Sequence, residues 1–126
     1  MIDVLDPIAR MERVAATLKR ARYRFSTEVV LQASIADVLT AACVHFEREA
    51  KLSDGERVDF LVGGDLAVEV KIRGAFVAVA EQLGRYAAIE RVRAVLLVTT
   101  RRQLLGVPTT LYGKPVAAAL LTGAFG

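Results

Sequence analysis

Between Arg57 and Tyr86 the chain, RVDFLVGGDLAVEVKIRGAFVAVAEQLGRY, shows two stretches of alternating apolar and polar positions followed by a helical period. Val58, Phe60 and Val62 alternate with Asp59 and Leu61; Val68, Val70 and Ile72 alternate with Ala67, Glu69 and Lys71. This predicts two strands, each with one oily face and one face that carries charge. Both apolar sets reach one core only if the connecting loop has an odd number of residues. Gly63, Gly64 and Asp65 meet that condition as a three-residue turn in which glycine supplies positive φ. The resulting register sets Asp59 opposite Glu69, with Lys71 beside them. From about Ala75 to Arg91 the spacing of Val79, Gln82, Leu83 and Tyr86 predicts a helix whose sheet-facing side includes the glutamine and the tyrosine.

The remaining pattern builds an α/β chain around this unit. Asp6 and Pro7 open a helix expected over residues 7–23, with Ile8, Met11, Val14, Ala15 and Leu18 as its buried stripe. Ser26 caps a second helix, to about Val44, whose apolar surface is Val30, Ala33, Ile35, Val38, Leu39 and Ala42. His45–Leu52 alternates as a first strand, and the continuous run Ala94–Thr100 reads as a strand buried on both faces, parallel to the Glu69 strand. A helical turn at Arg101–Leu105, a loop over 106–115 and a last strand, Val116–Leu121, complete the chain. Pro115 argues for an edge position for that last strand. The expectation is one domain over residues 1–126, with a core at about 26–121 and a mixed sheet of about five strands flanked by helices.

Paired carboxylates on neighbouring strands repel unless a cation lies between them. Hard oxygen ligands suit Mg²⁺ or Mn²⁺, which polarises a phosphoryl oxygen and activates water, and Lys71 is placed either to orient that water or to neutralise charge building up on the phosphate. Phosphodiester hydrolysis is the implied chemistry. The ordinary alternative is a solvated hairpin face, with Gln82 and Tyr86 as a satisfied polar pair at the helix edge.

Asp59, then Glu69-Val70-Lys71 on the next strand, then Gln82-Leu83-Gly84-Arg85-Tyr86 on the next helix, resembles the PD-(D/E)XK nuclease superfamily. The QxxxY element is similar to that of its RecB-type and phage exonuclease branch. The resemblance covers about Ser26 to Thr100, and Val58 stands where the family's name has proline. It implies a restriction endonuclease-like core acting on DNA, with Asp59 and Glu69 as metal ligands and the Val70 carbonyl as a further one. It also implies that Lys71 assists the attacking water and that Gln82 and Tyr86 brace the site. A helix before the hairpin adds an acidic residue in that family. Glu28 fills the place, although the helix dipole alone accounts for a carboxylate there, and Glu47 and Glu49 are alternatives. Archaeal Holliday junction resolvases offer an analogy of size and of dimeric assembly, so exonuclease, structure-selective endonuclease and resolvase all stand. A non-catalytic DNA- or protein-binding module on the same fold is the rival reading.

The chain has 126 residues, 54% of them hydrophobic and 25% charged, which argues against disorder. The net charge is only +3, which leans toward the rival module, though a pI of about 9.4 agrees with a phosphate-bearing partner. Arg10, Arg13 and Arg20 on the first helix are either a solvated face or a ridge for the DNA backbone. With Arg73 and Arg85 they are the candidate phosphate contacts. One cysteine, Cys43, expected to be buried, excludes an internal disulfide; one histidine, His45, excludes His-based triads and zinc clusters. There is no phosphate-binding GxxxxGK[ST] loop and no GxGxxG, so no nucleotide cofactor is expected. No apolar run has the length of a membrane span and no secretion signal is evident, which makes the cytoplasm the default. An exposed sheet edge suggests a homodimer.

Overall fold

A computed structural model describes residues 6–24 and 26–123. It is α/β: α1 (Pro7–Lys19), α2 (Glu28–Ala41), β1 (Phe46–Ser53), β2 (Glu56–Val62), β3 (Leu66–Lys71), α3 (Phe76–Ala87), β4 (Ala94–Thr99), β5 (Thr110–Leu111) and β6 (Lys114–Leu120), with a 3-10 turn at Arg102–Leu104. The six-stranded sheet has the order β1-β2-β3-β4-β6-β5. Its first three strands are antiparallel, β3, β4 and β6 run parallel, and β5 returns antiparallel. The six strands exceed the expected five because Thr110 and Leu111 pair with Pro115 and Lys114 inside the predicted loop. The last strand therefore has a neighbour on each side at its start, and Pro115 is accommodated opposite a strand of two residues.

Helices cover both faces. On one, Met11, Val14 and Leu18 of α1 and Leu31, Ile35 and Leu39 of α2 pack on Phe60, Val68, Val70, Leu96 and Val98. On the other, Val79, Leu83 and Tyr86 of α3 and Leu104 pack on Val58, Val95 and Leu97. β4 alternates between these cores and every residue in it is buried, which explains its unbroken apolar sequence. α1 opens as predicted, with the Asp6 carboxylate accepting from the Ala9 N–H at 3.0 Å, but ends at Lys19. Beyond it Tyr23 bridges to Gly123, and its hydroxyl donates to the Leu18 carbonyl at 2.6 Å. Ile8, expected in the stripe, is 52% exposed.

α2 departs further from expectation. Thr27 rather than Ser26 caps it, accepting from the Val30 N–H at 3.1 Å; of the expected surface Ile35 and Leu39 are buried, Leu31 joins them, and Val30, Ala33 and Ala42 are exposed. Apolar residues on most sides of this helix leave its orientation ambiguous from periodicity. Cys43 is exposed, not buried. It takes the left-handed position after the helix, φ 59°, with the Val44 N–H donating back to the Leu39 carbonyl at 2.9 Å and the Cys43 N–H to that of Thr40 at 3.0 Å. That closure turns the side chain outward.

Candidate active site

The Gly63-Gly64-Asp65 turn is present, with φ 60° and 84° at the glycines, and pairs Val62 with Leu66, Leu61 with Ala67 and Phe60 with Val68. Continued, this register sets Asp59 against Glu69, as expected. The ladder stops there. The Val70 N–H donates to Asp59 Oδ2 at 2.8 Å and the Asp59 N–H to Glu69 Oε1 at 3.3 Å, so carboxylates take the positions that backbone carbonyls hold elsewhere. The β1–β2 ladder also skips a pair at this point, Glu49 with Asp59, where Glu49 has φ 49°.

One consequence corrects the expected alternation. Phe60 and Val62 lie in the α1–α2 core but Val58 lies in the α3 core, and Phe46 and Ala50 of β1 divide in the same way. Both strands change faces at the Asp59–Glu49 irregularity. The single oily face predicted for each strand is thus two half-faces, and the seam between them holds the site.

Around the seam the side chains interlock. Glu69 is 4% exposed. Lys71 Nζ lies 3.4 Å from its Oε2, with the lysine side chain 24% exposed. On the α3 side the Tyr86 hydroxyl is 3.1 Å from Glu69 Oε1 and 3.0 Å from the Arg57 carbonyl, and accepts from Gln82 Nε2 at 2.8 Å. Glutamine and tyrosine one turn apart, on the sheet-facing side that the helical spacing indicated, thus hold the buried glutamate, Gln82 through Tyr86. The Arg57 carbonyl is not foreseeable, because a backbone acceptor leaves no mark in a sequence.

Burial is the chief cause pushing the Glu69 carboxyl up to about 7; the Asp59 charge adds to it, and Lys71, the Asp59 N–H and the Tyr86 hydroxyl oppose it. Asp59 is also raised, first by burial and then by the charges of Glu28 and Glu49, against the Val70 N–H and Lys71. Tyr86 is held protonated by burial and by Glu69.

The other expected residues divide. Glu28 approaches the end of β3, its Oε2 3.5 Å from the Ile72 N–H, and Glu49 is near enough to act on Asp59. Glu47 is exposed opposite Leu61. Among the described residues no group of three or more His, Cys, Asp or Glu side chains gathers to hold a metal. What is present is two carboxylates, with Asp59 Oδ1 making no hydrogen bond among the described residues. Two hard donors whose charges are set together under burial fit a divalent cation that keeps most of its water. Val70 contributes its N–H as the tie to Asp59 and buries its side chain.

Of the expected phosphate contacts, Arg10 is paired with Asp65 and packs over Gly63, and Arg85 is paired with Glu56 at 3.0 Å. Asp65 lies four residues along the chain from Glu69, so the Arg10–Asp65 pair sits about 13 Å along the strand from the carboxylates. Arg13 lines the same cavity as Arg10, beside Gly63 and His45, also away from the carboxylates. Arg20 and Arg73 are exposed. No helix among the described residues is long and apolar enough to cross a membrane. Compared with known proteins, the chain matches no family model, no curated protein and no solved structure.

Proposed function

We propose that this protein is a metal-dependent deoxyribonuclease with a restriction endonuclease-like core of the PD-(D/E)XK kind. The observation that carries the reading is the Asp59–Glu69 pair, Glu69 buried and Asp59 half-buried, at an opening in two strand ladders, with Lys71 Nζ 3.4 Å from Glu69. Holding two carboxylates together in a buried seam is costly for folding and useful to chemistry. Asp59 and Glu69 would hold Mg²⁺ or Mn²⁺, with the Val70 carbonyl as a further ligand and Glu28 in the outer shell. When bound, the ion supplies positive charge to a phosphoryl oxygen and lowers the pKa of a water. Lys71, partly exposed, donates hydrogen bonds to the attacking water or offsets charge that builds on the phosphate. Tyr86, itself held by Gln82, fixes the direction of Glu69 through Oε1, so that Oε2, beside Lys71, meets the site in one geometry. The departing alcohol takes its proton from solvent, which reaches the partly open edge.

A second reading has its own support. Because the Val70 and Asp59 N–H groups end on these carboxylates, the pair also completes the backbone bonding of the seam. A non-catalytic module that binds nucleic acid or protein could keep it for that reason.

Cleavage of labelled linear duplex, single strand, closed circle and four-way junction in Mg²⁺, Mn²⁺ or EDTA separates the two. The nuclease reading expects metal-dependent cutting that Glu69→Ala, Lys71→Ala abolishes, and the substrate preferred selects exonuclease, endonuclease or resolvase. Paired cuts on both strands would indicate a homodimer. A folded protein that cuts none of these substrates supports the binding module.

A further inference from the structure

The parallel strands β3, β4 and β6 end on one edge of the sheet, and each end carries exposed arginine. Arg73 lies just beyond β3, and Arg101 and Arg102 follow β4. Arg22 and Arg24 flank Tyr23, whose N–H donates to the Thr122 carbonyl at 3.4 Å and which bridges Gly123 just past β6. The Leu121 N–H, donating to the Thr99 carbonyl at 2.8 Å, keeps the ends of β4 and β6 together. Among the described residues none of these five guanidiniums is paired with a carboxylate, whereas Arg10 and Arg85 are. Lys71 ends β3 on the same edge, next to Thr99.

Neighbouring strands are about 4.8 Å apart, so a row from β3 to β6 spans about 10 Å. That equals roughly three nucleotides at about 3.4 Å of rise per nucleotide. Guanidinium keeps its charge and binds phosphate through two parallel N–H bonds. Three residues after Arg73, Phe76 is 40% exposed at the start of α3 and offers a ring on which a base can stack. Charge with an adjacent aromatic face matches nucleic acid better than it matches a small anion.

We propose that this carboxyl-edge arginine row, rather than the α1 ridge, is the track for the backbone of the nucleic acid. The inference rests on the nuclease reading for the identity of the polyanion and for the direction in which the track leads, toward Asp59 and Glu69.

Fluorescence anisotropy with a labelled single strand and a labelled duplex, in EDTA over rising NaCl, tests it. Arg73→Ala, Arg101→Ala, Arg102→Ala should weaken binding by about tenfold or more. It should also flatten the salt slope by about 0.9 for each phosphate left unneutralised on duplex, or about 0.7 on single strand. Phe76→Ala should weaken single-strand binding with the slope unchanged. Arg91→Ala, Arg93→Ala, which removes charge from the amino end of β4, should bind as wild type. Equal losses from both arginine sets, or no binding by the wild type, would overturn the track. Circular dichroism on each variant confirms the fold. Cleavage in Mg²⁺ on the same preparations keeps the two proposals apart. Binding through the edge without cutting refutes only the nuclease, and cutting with edge variants that bind normally refutes only the track.

Discussion

Glu69→Gln removes one charge from the seam and leaves its shape. The amide oxygen can still accept from the Asp59 N–H and the Tyr86 hydroxyl, which lie 3.3 and 3.1 Å from Glu69 Oε1. The folded-state carboxyl, pushed up to about 7, stands above the 4.5 of an ordinary glutamate, so the native state holds this proton more tightly than the unfolded chain does. The sign follows: ionised Glu69 destabilises the fold, by nothing below pH ~4.5 and by increasing amounts up to about pH 7, after which the cost is constant. At about 1.4 kcal/mol per tenfold change in proton affinity, the ceiling is about 3 kcal/mol. That ceiling is already net of the Lys71 ion pair; placing an amide NH2 rather than a carboxyl oxygen 3.4 Å from the partly exposed Lys71 ammonium takes back up to about 1 kcal/mol. Glu69→Gln should therefore be about 2 kcal/mol more stable than wild type at pH 8 in EDTA, a Tm higher by roughly 5–10 °C for a domain of this size. Urea unfolding at pH 8 and pH 4.5 measures it, since changes at other carboxylates cancel between the two proteins. If the variant is no more stable at pH 8, or its advantage is the same at pH 4.5, the argument for a strained carboxylate pair fails.

Other perturbations probe the supports of the seam. Tyr86→Phe leaves the Arg57 carbonyl and the Gln82 amide without their buried partner and should cost about 1–2 kcal/mol in urea unfolding. It also withdraws a hydrogen bond that favours ionised Glu69, so the acid limb of any pH–rate profile should move to higher pH. Leu83→Ala, at a fully buried position between α3 and the sheet, should cost about 3 kcal/mol, read from the same denaturation curves. Gly64→Ala meets no atom within 4 Å, so its cost is that of φ 84° alone, about 1 kcal/mol, with cleavage unaffected.

How much of this is legible in the sequence depends on whether a feature is written locally. The turn is, because two glycines and an aspartate between alternating runs demand positive φ and an odd loop, and the register that aligns Asp59 with Glu69 follows from it. The glutamine–tyrosine pair is legible from helical spacing, and β4 from its apolar run. The seam is not. Glu49 adopts φ 49° without being glycine, and the change of faces that sends Val58 and Ala50 to the α3 core is enforced by tertiary packing. α2 misleads in part because apolar residues lie on most of its sides, so periodicity finds Ile35 and Leu39 but passes over Leu31 and adds the exposed Val30, Ala33 and Ala42. Sequence alone leaves Arg10 available to phosphate because its partner, Asp65, lies 55 residues away. The arginine row assembles from three separate segments, brought together only by the parallel strand order.

The central claim is that the Asp59–Glu69 pair exists to hold a divalent cation, and calorimetric titration with Mn²⁺ near pH 6.5 tests it most directly. In buffers of differing ionisation enthalpy the account predicts saturable uptake accompanied by proton release, because bound metal requires the carboxyls ionised. Glu69→Gln should release no such proton, and Asp59→Asn should bind far more weakly. A folded wild-type protein that takes up no Mn²⁺, or takes it up equally in both variants, would contradict the account.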